Sequence, residues 1–248
     1  MKKTLTALIK EFAEGQSYFS LNQIRKFLSS KGLKYSNVSI KKYIKQLRNE
    51  NYLYSSGRGY YSKIKNEFKP DVKSLKPIVK LLKQKSPFLE FSVWSTEQIK
   101  FTFHHLQNRF YTFIYSEADS LEILRDRLAS KGYSVYLNPT INDVKKNPFI
   151  EQNSIILRNR INHKLSKEQF APIEKILVDL HIEADWIGII DLEEYSRVFE
   201  YFLRNYRLNI SLSLDYTERR KILTKIKELL GEYINPHIRV ICGIGILF

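Results

Sequence analysis

Residues Ser36–Lys63 read SNVSIKKYIKQLRNENYLYSSGRGYYSK, and this stretch decides how the N-terminal part of the chain folds. Ser36 or Ser39 can cap a helix. Apolar residues follow at i, i+3, i+4 and i+7, which is the spacing of one helix face. These residues are Ile40, Tyr43, Ile44 and Leu47. The opposite face is polar and basic, and it comprises Ser39, Lys41, Lys42, Lys45, Gln46 and Asn49.

The residues after this helix favour a β-hairpin. NYLYSS is typical of one strand and YYSKI of the returning strand. Between them, SGRG supplies the glycines that a tight turn requires and places Arg58 at the tip. Two amphipathic helices precede the stretch, one over Thr4–Ala13 and one that begins after Ser20 and stops before Gly32.

Three helices followed by a hairpin are the arrangement of a winged helix-turn-helix. In such a domain the third helix enters the major groove of DNA. Its lysines would neutralise phosphates, its amides would read base edges, and Arg58 would meet a phosphate or the adjoining minor groove. The residues expected to contact DNA are Ser39, Lys41, Lys42, Lys45, Gln46 and Arg58. The alternatives are a solvated basic helix or a winged helix used for protein contacts.

The charge of the chain is concentrated in the same region. The 248 residues carry a net charge of +15, with 43% hydrophobic residues, which indicates a folded protein and a polyanionic partner. Residues 1–70 hold twelve lysines and three arginines against four glutamates, a net charge of +11. The other 178 residues carry only +4, so the argument for a polyanion belongs to the N-terminal part.

Cysteine usage and the N-terminus indicate a cytoplasmic protein. The single cysteine, Cys242, excludes an intramolecular disulfide and a cysteine-based zinc cluster. Lys10, Glu11 and Glu14 interrupt the first apolar run too early for a signal peptide or a membrane span. We expect no membrane association.

The fold class predicted for the whole chain is α+β with two domains, a winged helix at 1–70 and a mixed α/β domain with a helical C-terminal part at 71–248. Prolines in Lys69–Lys80 mark this segment as the linker. Four short strands are expected next, alternating with helices. They are Phe88–Val93, Phe110–Tyr115, Ser134–Leu137 and Ser154–Leu157. After about Gln169 three apolar stripes predict helices, and GIGIL near the C-terminus favours a terminal strand.

The second domain offers little chemistry. No nucleophile, phosphate-loop or metalloprotease motif is present, and we expect no catalytic residue, metal or cofactor. The adjacent pair His104 and His105 would point different ways on a helix, which makes a poor metal site. Glu90 and Glu117, at strand ends, are the only carboxylates to consider for a nuclease. Two basic runs could be binding surfaces, Arg158–Lys164 and the start of a helix at Tyr216–Lys221.

Longer patches of the sequence resemble the AbiE-type antitoxins of type IV toxin–antitoxin systems. The resemblance rests on the basic winged helix, on SVWST and the patches that follow it, and most on EKILVDL, EYSRVFEYFLRNY and DYTERR. It implies a non-enzymatic autorepressor that binds inverted repeats in its own promoter. Because a single helix-turn-helix reads only a few base pairs, two copies are expected to act together on the DNA. It also implies that the part from about Val72 onward counteracts a co-encoded nucleotidyltransferase-like toxin. Arg219 and Arg220 are guessed as partner-binding residues.

Two other functions stay open at this point. One is a metal-dependent nuclease that uses the winged helix as a targeting module, with Glu90 and Glu117 in its site. The other is a plain transcription factor whose second domain dimerises or senses a ligand. Magnesium-dependent cleavage of DNA and co-expression with the neighbouring gene separate these from the antitoxin.

Overall fold

The N-terminal part of the chain contains three helices and a small antiparallel sheet. A computed structural model describes residues 4–85, 88–104, 110–146, 154–161 and 169–234. The elements are α1 (Leu5–Glu14), β1 (Tyr18–Ser20), α2 (Leu21–Ser30), α3 (Asn37–Asn49), β2 (Tyr54–Ser55) and β3 (Tyr60–Ser62). The predicted order of three helices and a hairpin is therefore present, with β1 as an addition between the first two helices.

Serine and threonine caps fix where these helices begin. Thr4 caps α1, and Ser20 forms a capping box with Gln23 at the start of α2. Of the two serines considered for α3, Ser36 is the cap, because its Oγ accepts from the backbone N–H of Ser39 at 3.1 Å. Each side chain satisfies a backbone donor that the helix leaves unpaired.

The small sheet has the order β1-β3-β2, and both pairings are antiparallel. β3 is central, since Tyr61 lies opposite Phe19 on one side and Ser55 on the other. The three helices pack over one core. Its buried members include Leu8, Ile9, Phe19, Ile24, Leu28, Ile40, Ile44, Leu47 and Leu53.

The middle of the chain builds a mixed four-stranded sheet with the order β4-β5-β7-β6. β4 and β5 are antiparallel, whereas β7 is parallel to both β5 and β6. The elements are α4 (Lys76–Lys85), β4 (Phe91–Ser95), a 3₁₀ helix (Thr96–Thr102), β5 (Thr112–Ser116), a 3₁₀ turn (Ala118–Ser120), α5 (Leu121–Ala129), β6 (Val135–Leu137), α6 (Ile141–Lys146) and β7 (Ile155–Asn159). The four predicted strands are present, each shifted by one to three residues.

The prediction of a linker over Lys69–Lys80 is wrong in its second half. α4 begins at Lys76, and Leu75, Ile78 and Val79 are buried in the core beside the four-stranded sheet. Pro77 is compatible with this helix because a first-turn N–H needs no partner inside the helix.

Four helices follow, namely α7 (Ile173–Ile187), α8 (Leu192–Asn205), α9 (Ile210–Arg219) and α10 (Leu223–Ile234). The chain is an α+β protein that divides into two compact units, one of residues 1–68 and 200–248 and one of residues 69–199. The first of the two units includes residues 1–68, and the second begins at residue 69. Within the described residues, the segment 200–234 belongs to the first unit, which differs from one continuous domain over 71–248.

The predicted terminal strand lies outside the described residues. Within the described ranges, no helix has both the length and the apolar character that crossing a bilayer requires.

Candidate nucleic-acid interface

The outer face of α3 is a row of basic side chains. Ile40, Ile44 and Leu47 are buried on the inner face, as predicted. Lys41, Lys42, Lys45, Gln46 and Asn49 are exposed on the outer side. We call the residues Lys41, Lys42 and Lys45 the lysine face. None of these three lysines pairs with another described residue, so their charges are available to a partner.

Gln46 lies at the margin of the lysine face and has an intramolecular partner. Its Nε2 donates to Oε1 of Glu50 at 2.9 Å. The other carboxylate oxygen of Glu50 lies 3.7 Å from Nζ of Lys10. Gln46 therefore has to leave Glu50 before its amide can meet a base edge.

Ser39 has a role in the first turn of α3. It is partly buried, and its hydroxyl lies 3.0 Å from the hydroxyl of Ser36. This contact orients both hydroxyls at the start of the helix. Ser39 is thus less accessible than the lysines that follow it.

The tip of the β2–β3 turn carries Arg58, whose side chain is exposed. Its neighbours Gly57 and Gly59 have φ angles of 96° and 79°, which only glycine adopts without strain. The backbone N–H of Arg58 donates to Oγ of Ser211 at 2.9 Å. The N–H of Ile210 donates to the carbonyl of Ser56 at 2.8 Å. The tip is therefore held from the C-terminal part of the same unit.

A segment of six residues, 206–211, makes these contacts, and we call it the return segment. Arg207 donates to the carbonyl of Lys65 at 2.7 Å, pairs with Glu67, and stacks its guanidinium 4.9 Å from the ring centroid of Tyr54. The hydroxyl of Tyr18 bonds to the backbone on both sides of Arg207. Sequence reasoning missed this segment, because no local pattern links residues more than 140 positions apart.

The two arginines guessed for partner binding lie at the end of a helix. Arg219 is the last residue of α9 and Arg220 is its C-cap, so the prediction that they lie at the start of a helix is wrong. Arg219 is exposed, but Arg220 is only 8% exposed and lies over the ring of Tyr216. They do not form a paired surface, because adjacent positions in the last helical turn point in different directions.

The basic run at Arg158–Lys164 was expected to be an exposed loop, but it begins inside a strand. Arg158 lies in β7 and is 3% exposed. It donates to the fully buried carboxylate of Glu183, with its Nη2 2.6 Å from Oε2, and its Nη1 donates to the carbonyl of Pro139 at 2.8 Å. Arg160 pairs with Glu90. Residues 162–164 of this run lie outside the described part.

Glu183 is a fully buried carboxylate of the second unit, and its cation partner is Arg158. The hydroxyl of Tyr115 donates to its Oε1 at 3.0 Å, in addition to the bonds from Arg158. Burial raises the pKa of Glu183, while the bonds from Arg158 and Tyr115 oppose that shift. The arrangement ties α7 to the strands β5 and β7.

Glu90 and Glu117, considered for a nuclease, flank the same end of the β4–β5 ladder, since Phe91 lies opposite Ser116. Both are exposed, and Glu90 is paired with Arg160. Among the described residues, no three histidine, cysteine, aspartate or glutamate side chains come together as a metal site. His104 is exposed and His181 is buried beside Tyr195, whereas His105, His163 and His237 lie outside the described residues.

Comparison with known proteins gives a family for most of the chain. Residues 39–236 match DUF6577, a family of unknown function, and the chain belongs to this family. The match includes the lysine face, the β2–β3 turn and the return segment. No curated protein matches the chain.

Proposed function

We propose that the chain is a sequence-specific DNA-binding protein whose first unit works as a winged helix-turn-helix. In this proposal α3 is the recognition helix and the β2–β3 turn is the wing. The observation that carries the proposal is the lysine face, three unpaired and exposed lysines directly opposite the buried side of α3. A helix with one buried face and one unpaired basic face fits the major groove, whose walls are lined by phosphates.

Each side chain has a stated role in this proposal. Lys41, Lys42 and Lys45 contact phosphates and set the register of α3 on the duplex. Gln46 and Asn49 are amides within reach of base edges, and an amide recognises adenine with two hydrogen bonds. Arg58 at the wing tip contacts a phosphate or the adjacent minor groove. Ser39 helps to orient the first turn of α3.

The proposed target is the promoter of the chain's own gene, bound at inverted repeats by two copies. A single helix-turn-helix contacts only a few base pairs, so two copies are needed for operator specificity. A nuclease-protection footprint on the DNA upstream of the gene tests this. We expect two protected half-sites whose centres lie about 10 base pairs, or a multiple of that, apart. Uniform weak protection along the fragment would contradict operator recognition.

The second part of the proposal is that the chain counteracts a co-encoded nucleotidyltransferase-like toxin. Its support is the resemblance of the sequence to AbiE-type antitoxins, which assigns this role to the part from about Val72 onward. Growth of cells that express the neighbouring gene, with and without this chain, tests it. The double variant Lys42→Glu/Lys45→Glu should still rescue growth, because those lysines lie in the first unit. A failure of the wild-type chain to rescue growth would leave a transcription factor without antitoxicity.

A further inference from the structure

Val38 is an exposed apolar side chain in the first turn of α3. Its exposed fraction is 78%, whereas Ile40, the next apolar residue of the helix, is fully buried. Lys41 and Lys42 follow at i+3 and i+4, which places Val38 on the same outer face. Its two methyl groups therefore lie in solvent beside the lysine face.

Neither packing nor helix formation accounts for a valine at this position. The side chain contributes almost no buried area within the described fold. A β-branched residue is also a poorer helix former than the lysines around it, because its χ1 rotation is restricted. That same restriction makes it a rigid probe, since little conformational freedom is lost when it contacts a surface.

The first turn of a recognition helix is the part that approaches the base edges. Valine has no hydrogen-bonding group on its side chain, so most features of the major groove offer it nothing. The exception is the C5-methyl group of thymine, which makes apolar contacts with small side chains. An exposed valine at this position therefore selects for one kind of base.

We propose that Val38 is a specificity-determining residue that contacts the 5-methyl group of a thymine in each operator half-site. The inference rests on the proposed DNA-binding function and names one element of the sequence that α3 reads. Lys41 and Lys42, one turn further on, would hold the phosphates on either side and fix the distance of Val38 from the base edge.

The experiment uses the full-length chain and replaces each thymine of the footprinted site, one at a time, by deoxyuridine. This replacement removes only the methyl group and keeps every hydrogen-bonding group of the base. Dissociation constants are measured for the wild type and for Val38→Ala, which retains the helix because alanine is the better helix former. Val38→Thr, which keeps one methyl group, serves as the second variant.

For the wild type we expect one position in each half-site where deoxyuridine weakens binding about fourfold, the effect of one buried methyl group. For Val38→Ala, binding to the thymine duplex should already be weaker by about the same factor. Deoxyuridine at that position should then cause no further loss. Val38→Thr should retain part of the discrimination.

Two results would overturn the inference, and they differ. If the wild type binds its operator but no thymine position distinguishes it from Val38→Ala, Val38 is not a base-reading residue and the proposed function stands. If the wild type does not prefer the upstream DNA over a scrambled duplex, the proposed function fails and the inference fails with it.

Discussion

The hydroxyl of Tyr18 donates a hydrogen bond to the backbone carbonyl of Tyr206, 2.5 Å away and 188 positions later in the sequence. The same hydroxyl accepts a bond from the N–H of Leu208 at 3.0 Å. Tyr18 is fully buried in β1, and its bond with the N–H of Leu208 is buried as well. One side chain thus joins the sheet of the first unit to the return segment, which in turn contacts the tip of the β2–β3 turn.

Tyr18→Phe should destabilise the first unit by about 1–3 kcal/mol. The substitution keeps the ring but leaves the buried N–H of Leu208 without its acceptor and removes the bond to the partly buried carbonyl of Tyr206. An unsatisfied buried group carries a desolvation penalty of this size. Chemical denaturation of the two proteins measures the difference. The matched control is Tyr35→Phe, at a tyrosine that is 37% exposed, which should change stability by less than about 0.5 kcal/mol. Equal effects of the two substitutions would contradict the role given to Tyr18.

The two glycines of the turn should differ in their response to alanine. At both, the positive φ angle costs a non-glycine residue about 1–2 kcal/mol. A Cβ on Gly57 would also collide with Asn209 and Ser211, whereas a Cβ on Gly59 meets open space. Gly57→Ala should therefore be the more destabilising change and should also displace Arg58, which weakens operator binding.

The collision can be separated from the strain by a second substitution. Ser211→Gly removes a crowded neighbour of the added Cβ but also the Oγ that accepts from the N–H of Arg58, so it is measured alone and in the Gly57→Ala background. The double variant should lose less stability than the sum of the two single losses. Thermal unfolding and operator binding of Gly57→Ala, Gly59→Ala, Ser211→Gly and the double variant make the comparison. Identical losses for Gly57→Ala and Gly59→Ala would show that the return segment does not hold the turn.

Glu50→Gln should strengthen binding to any DNA duplex. The substitution removes a negative charge at the end of α3, and this charge would repel phosphates near the lysine face. We expect an increase in affinity of about two- to fivefold at low salt, as for an exposed charge pair, which fades as salt is added. The control Asp119→Asn changes an exposed acid of the second unit and should have no effect on affinity. A decrease in operator affinity for Glu50→Gln would mean that Glu50 positions Gln46 for base reading.

Arg158→Met should destabilise the second unit by about 3–5 kcal/mol near pH 7, because it leaves the carboxylate of Glu183 buried without its cation. Burial raises the pKa of Glu183 above its ordinary value of 4.5, and removal of Arg158 raises it further. The protonated form of Glu183 therefore stabilises the folded state at low pH, and this contribution to the free energy of unfolding is lost as the pH rises above 4.5.

The loss caused by Arg158→Met should accordingly be smaller at pH 5 than at pH 8. Urea denaturation at the two pH values measures it. Adding Glu183→Gln removes the unpaired charge while retaining an acceptor for Tyr115, and should restore most of the lost stability. A loss in Arg158→Met that is independent of pH would show that the methionine harms packing and that charge burial is not the cause.

The spacing of apolar residues predicted the buried face of α3. It did not predict contacts between residues that are far apart in the sequence. The buried set of α3 follows from spacing along one helix and could be predicted, whereas the cap was narrowed only to Ser36 or Ser39. β1 has three residues and exists only because it pairs with β3, 40 to 44 positions away. The contacts of the return segment with Tyr18 and Arg58 are still more distant, and no window of sequence contains them.

Burial explains the remaining differences between sequence and structure. Pro77 led to the prediction of a linker over Lys69–Lys80. Apolar residues at helical spacing from Leu75 onward are instead buried, and a helix begins at Lys76. The sequence predicted that Arg158 and Arg220 lie on the surface, because arginine is mostly exposed in proteins. Arg158 lies inside because Glu183, 25 positions later, supplies the opposite charge. The exposed lysine face needed no such partner and was predicted correctly from the helix alone.

The most direct test of the central claim is a salt titration of binding to the duplex just upstream of the gene and to a scrambled duplex of equal length. Fluorescence anisotropy of the wild type should show preference for the upstream duplex and a steep fall of log K with log salt. Lys42→Ala and Lys45→Ala should each reduce that slope by about one, and Lys42→Glu/Lys45→Glu should abolish operator binding with the fold intact. Lys80→Ala, at an exposed lysine of the second unit, is the matched control and should leave the slope unchanged. Normal operator binding by the double variant would contradict the placement of α3 as the recognition helix.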